Sequence, residues 1–145
     1  MPILNYSTTV AAEKTATEVQ AILGRGGASR IQSDWQQGRI VGISFEVETE
    51  FGPRGFMMPV RTAGVLAALE SDPKVPASKS TPEHAERVAW RIAKDWLEAQ
   101  IALIDAGLAT IDEVMMPYML DNSGRTVFEG YRASQLAITD GGEQA

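Results

Sequence analysis

The sequence predicts an α+β fold: a small, mostly antiparallel sheet of order β-α-β-β-β, packed with one long helix and short C-terminal helices. Three observations predict it. Val41, Ile43, Phe45 and Val47 alternate with Gly42, Ser44, Glu46 and Glu48, the period of a strand with one apolar and one wet face. Residues 82–105 keep a helical period between a clear start and a clear stop. Between these halves, Pro73, Pro76, Ser78 and Ser80 interleave with Lys74 and Lys79, and no hydrophobic period survives.

The elements follow in order. Ile3–Thr9 alternates weakly and predicts a short strand. A helix follows, with the capping-box pattern Thr15-Ala16-Thr17-Glu18 as its firmest start and Gly24-Arg25-Gly26-Gly27 as its stop. Ile31, Ser33 and Trp35 share one side of the next strand, which turns at Gln36-Gln37-Gly38 into the strand over 41–48. Phe51–Gly55 predicts a turn, and Phe56–Val60 a returning strand that Pro59 assigns to an edge. A short helix over Ala63–Glu70 completes the first lobe.

The chain of 145 residues reads as one domain: an α+β lobe at 1–70, a flexible linker loop at 71–81, a helical part at 82–138 and a frayed tail at 139–145. Ser80-Thr81-Pro82-Glu83 caps the long helix and Ala106-Gly107-Leu108 ends it. About 25 residues at 1.5 Å per residue make roughly 37 Å, enough to span or overhang a domain of this size. Its apolar arc, from Ala85 and Val88 through Trp96 and Leu97 to Ile104, covers roughly 200°. That width predicts either a well-enclosed central helix or a second surface packed on it, and a homo-oligomer is the expectation. Thr110-Ile111-Asp112-Glu113 is another capping box, Pro117 bends or ends its helix, Asp121–Gly124 turns, and Thr126–Glu129 caps a last short helix.

Composition narrows the function. Cysteine is absent, which removes disulfide scaffolds and thiolate metal sites. No apolar run reaches the roughly 18 residues of a membrane span, and the start lacks the basic, apolar pattern of a signal peptide. Net charge is −6, with the excess at the end: residues 105–145 carry 7 acidic and 2 basic side chains. Such a chain does not bind nucleic acid by bulk attraction.

No catalytic constellation appears, so neither an enzyme nor a cofactor is expected. His84 is the one histidine and reads as a surface or capping residue, and one His without Cys leaves no zinc site. Glu83–Arg87, Arg91–Asp95 and Lys94–Glu98 are i,i+4 pairs of a solvated helix face. Within that face Arg87, Arg91, Lys94 and Glu98 are the candidate partner-binding residues. Glu86 projects into the apolar arc and needs a partner, such as an arginine from the sheet lobe. Glu46, Glu48 and Glu50 are too widely spaced along a strand to bind one metal unaided.

A second candidate site lies in the sheet lobe. Arg54-Gly55-Phe56 matches the opening of an RNA-binding strand signature, although Met57, Met58 and Pro59 depart from it. Arg30, Arg39 and Arg54, with Trp35 and Phe56 as stacking platforms, make the candidate nucleic-acid or nucleotide site.

Ala85-Glu86-Arg87-Val88-Ala89-Trp90-Arg91-Ile92, Lys94-Asp95-Trp96-Leu97-Glu98-Ala99, Gly107-Leu108-Ala109-Thr110, Met116-Pro117-Tyr118 and Gly124-Arg125-Thr126 occur in a recognisable order. It resembles a family of small bacteriophage and prophage proteins, especially those of actinobacteria. The resemblance implies a phage origin and expression in the host cytoplasm, and it assigns no chemistry. The reading that results is a non-enzymatic accessory protein that self-associates and docks on a host or phage protein. Nucleic-acid or nucleotide binding, including sequestration of a nucleotide signal, is the alternative.

Overall fold

The computed structural model of the chain describes residues 3–144, with side chains as far as residue 139. The fold is α+β. Helix α1 (Ala12–Arg25) leads into strands β1 (Ala28–Gln36), β2 (Arg39–Thr49) and β3 (Gly52–Met57), which form an antiparallel sheet of order β1-β2-β3. Helices α2 (Ala63–Ser71), α3 (Pro82–Asp105), α4 (Ile111–Met115) and α5 (Val127–Gln144) follow. Residues 140–145, most of the tail expected to fray, lie beyond the described side chains, and the α5 backbone runs through them to Gln144.

Two hairpin turns set the sheet. Gln37 and Gly38 both have positive φ, 51° and 75°, as a two-residue turn needs to match the twist of its strands. The β2–β3 turn consists of Glu50 and Phe51 alone, so Gly52–Gly55 are strand and the predicted turn there is corrected. The strand therefore ends at Met57, before Pro59, and Pro53 sits within it at the sheet edge. Asp34 faces Gly42 while Trp35 faces Ile40, which leaves Val41 as the extra residue of a bulge. Alternation shifts phase there: Ile40 points inward, and Val41, predicted to be core, is 39% exposed.

The core lies on one face of the sheet. Ile43, Phe45 and Val47 from β2 and Phe56 from β3 meet Val19 and Leu23 of α1 and Trp90, Ala93 and Leu97 of α3. Phe45 and Phe56 stack with centroids 5.5 Å apart. A smaller cluster joins Leu69 of α2, Val75 of the 72–81 loop and Ala85 of α3. Val75 thus ties that loop to the body.

Helix α3 has the predicted cap, with the His84 N–H donating to Thr81 Oγ1 at 3.2 Å. Most of its wide apolar arc is covered within the chain, by α1 and the sheet, by α2, and by Tyr118, which meets Trp96 edge-on at 5.5 Å, while Leu103 is 37% exposed. Helix α4 has the capping box of Thr110 and Glu113, and Pro117 turns its end into a 3₁₀ turn.

Three elements differ from expectation. Ile3–Thr9 is no strand: Tyr6 and Thr8 donate backbone hydrogen bonds to Ile3 and Asn5, and Asn5 sits at φ 64°. Side-chain partners on α3 hold this segment as a turn, so its weak alternation finds no strand to pair with. Helix α1 starts at Ala12, and Thr15 is a fully buried residue of its α3-facing side instead of a cap. The last helix is not short: α5 has 18 residues, launched where the Glu129 N–H donates to Thr126 Oγ1 at 3.1 Å.

Candidate interaction surface

The charged row on α3 lies along the flank that α1 covers, and its side chains are engaged within the chain. Arg91 Nη1 donates to Glu18 Oε2 at 2.6 Å and reaches Thr15 Oγ1 at 3.5 Å, pinning α1 to α3. Lys94 pairs with Glu98 at 3.0 Å, and its side chain is only 16% exposed. Arg87 Nη2 donates to His84 Nδ1 at 3.3 Å. The structure brings Arg87, Arg91, Lys94 and Glu98 into one row, but Glu98 is the most open of the three whose ion pairs it shows.

His84 is buried, which corrects the surface reading. Because arginine only donates, Nδ1 accepts and Nε2 carries the proton, which it donates to the Tyr6 carbonyl. Asn5 Nδ2 adds a hydrogen bond to Asp95 Oδ2 at 2.9 Å, so α3 holds the N-terminal turn at two points. The histidine is a structural clasp. Glu86 finds the expected sheet-lobe arginine: Arg39 Nη2 lies 2.7 Å from Glu86 Oε2, and the carboxylate side chain is 23% exposed.

The sheet-lobe candidates do not converge. Phe56 is 0% exposed in the middle of the core and cannot stack a base; its place opposite Phe45 puts it on the apolar side of the sheet. Arg54 faces Val47 and shares that side, whereas Arg30 faces Glu46 on the open side. Trp35 and Arg39 stand at the β1–β2 hairpin end. Trp35 is 54% exposed, while Arg39 is committed to Glu86. The open side carries a shallow trough of about 440 Å³ between Arg30, Gln32, Ser44, Glu46, Gly55 and Leu120. Among the described residues, no three His, Asp or Glu side chains are grouped to hold a metal ion.

Among the described residues, exposed large apolar side chains concentrate on α5. Val127, Phe128, Tyr131, Leu136 and Ile138 are 41–64% exposed along it. The helix starts at the edge of the sheet, where the segment after α4 bridges β3 at Phe56–Met119 and then Leu120 bridges Thr126. The intervening turn is built on Asp121, which accepts from Ser123 Oγ at 2.6 Å and from the N–H groups of Ser123 and Arg125. The Ser123 hydroxyl above all, with those backbone N–H groups, holds the Asp121 carboxyl below the usual aspartate range. Sequence reasoning missed this surface. Its signal is present: Val127, Tyr131, Ser134 and Ile138 follow a 4-3-4 spacing that keeps them on one helix face.

No protein-family model, no curated protein and no solved structure matches this chain.

Proposed function

We propose that the protein is a phage-encoded accessory protein without catalytic chemistry, which works in the host cytoplasm by self-association and by docking on a host or phage partner protein. One observation carries this reading: an 18-residue helix leaves the body with its apolar side chains exposed, Tyr131 at 60% and Ile138 at 64%. Exposed apolar groups concentrated on one element mark an interaction surface, whereas scattered single ones do not. The acidic balance of residues 105–145 suits a partner with basic groups around an apolar patch.

A photo-crosslinking residue placed at Tyr131 and expressed in the bacterial host tests the reading. Protein adducts are expected from that position, and they should vanish when Phe128 and Ile138 are both changed to Lys. Absence of any protein adduct from α5 would remove the proposal. Nucleic-acid adducts from a probe at Trp35 would instead favour the sheet-lobe alternative, which rests on the exposure of that tryptophan.

A further inference from the structure

Helix α5 carries an exposed stripe at regular helical spacing. Val127, Tyr131, Ser134 and Ile138 have the spacing of a coiled-coil seam, four, three and four residues apart. On one flank of the seam stand Gly130 and Ala137, small enough for close approach. On the other stand Phe128 and Gln135. Glu129 and Arg132, the charged residues of this stretch, fall outside the seam and both flanks, so no charge opposes a partner helix.

The pattern is self-complementary when reversed. Laid antiparallel about a two-fold axis between Arg132 and Ala133, Val127 meets Ile138 of the second copy and bulky Tyr131 meets small Ser134. Gly130 then flanks Ala137, and Phe128 flanks Gln135. A two-fold interface demands such reciprocity, since each residue must fit its counterpart in both directions. The seam is free to be used: Val127, Phe128, Tyr131 and Ile138 are 42%, 41%, 60% and 64% exposed, and Ser134, Gln135 and Ala137 are exposed as well.

Area is sufficient for a modest complex. An aromatic side chain offers about 150–250 Å² in total. Two half-exposed stripes with their flanking residues therefore bury on the order of 1,000 Å², the lower limit for a specific interface. We propose that the chain forms an antiparallel homodimer through α5, with Val127 of each copy against Ile138 of the other. This rests on the self-association half of the proposed function and names the surface and the geometry. Leu136 lies on the outer side of such a pair and stays exposed.

Sedimentation of the full chain from low to several hundred micromolar tests it. A concentration-dependent monomer–dimer equilibrium is expected within that range, as for an interface at the low end of size. Ile138→Lys and Tyr131→Lys should each weaken it by at least about 10-fold, because each buries an unpaired charge. Leu136→Lys should leave it unchanged. Since the chain has no cysteine, orientation can be read directly: mixed Val127→Cys and Ile138→Cys chains should form a disulfide heterodimer on oxidation. Preferential Val127→Cys homodimers would mean parallel helices and overturn the geometry. A dimer indifferent to both lysine substitutions would overturn the surface while leaving self-association intact. A monomer throughout would overturn both the pairing and self-association, leaving only docking on another protein.

Discussion

Helices α3 and α5 start alike and end differently. Each opens at a threonine whose hydroxyl accepts from the backbone three residues on, and each carries apolar residues at helical spacing. Yet Val88, Ala89, Trp90, Ala93 and Leu97 of α3 are buried, while the apolar residues of α5 named above face solvent. The difference comes from where the chain delivers each helix. Helix α3 enters over the apolar side of the sheet, with the preceding loop fixed by Val75. Helix α5 is launched from beyond the β3 edge, and the uncovered side of the sheet presents Arg30, Gln32, Ser44 and Glu46. An apolar stripe gains nothing by covering those groups, whose desolvation would oppose it. Amphipathicity therefore tells that a helix needs a partner surface; the topology decides whether its own chain supplies one.

The largest expected effect breaks the comparison most directly. Trp90→Ala should cost about 3–5 kcal/mol of folding stability, as removal of a fully enclosed aromatic does. Tyr131→Ala, measured by urea unfolding in dilute solution, should stay within about 0.5 kcal/mol, as substitutions at exposed positions do. A cost well above that at Tyr131 would mean that α5 packs on its own body. Next comes the clasp at the start of α3. His84→Ala strips the Tyr6 carbonyl of its donor in a buried site, which should cost about 1–3 kcal/mol. Hydrogen exchange should then accelerate in residues 3–9 and leave α5 untouched. Faster exchange spreading to α5 would show the two regions to be coupled.

Much of α3 was legible because its signals are local: a threonine cap, a proline in the first turn, a glycine stop and a sustained period. The β1–β2 hairpin was legible for the same reason, through Gln37-Gly38 and the alternation of β2. What failed depends on distant partners. The alternation in Ile3–Thr9 is overruled by Asn5 bonding to Asp95 and Tyr6 to His84, contacts that no local window contains. Val41 was misplaced by a bulge, which inserts a residue without any composition change. Phe56 looked like a stacking platform because Arg54-Gly55-Phe56 fixes residue types but not which side of the sheet is covered. The charged row on α3 was visible, whereas its neighbour α1 was not: Glu18 claims Arg91 from 73 residues away. Helix α5 was underestimated because the tail from residue 139 on reads as frayed, so only a short helix was expected after the Thr126–Glu129 cap.

The smallest effect concerns the turn that carries α5. Asp121 is hydrogen-bonded as a carboxylate by the Ser123 hydroxyl and by two backbone N–H groups, so its folded-state pKa lies below that of the unfolded chain. A depressed carboxylate contributes fully above the ordinary aspartate range and loses that contribution as pH falls through its folded-state value. Acidification should therefore loosen the 121–125 turn only at pH values below that range. Carbon-detected titration should place the Asp121 midpoint below that of an aspartate in the unfolded chain, and Ser123→Ala should move it back up. The same acidification should alter the amide signals at the start of α5 and leave the middle of α3 unchanged, since α3 is held by its packed face. An ordinary Asp121 midpoint, unmoved by Ser123→Ala, would mean that this turn does not hold α5, and that the helix is positioned by the Leu120–Thr126 bridge alone.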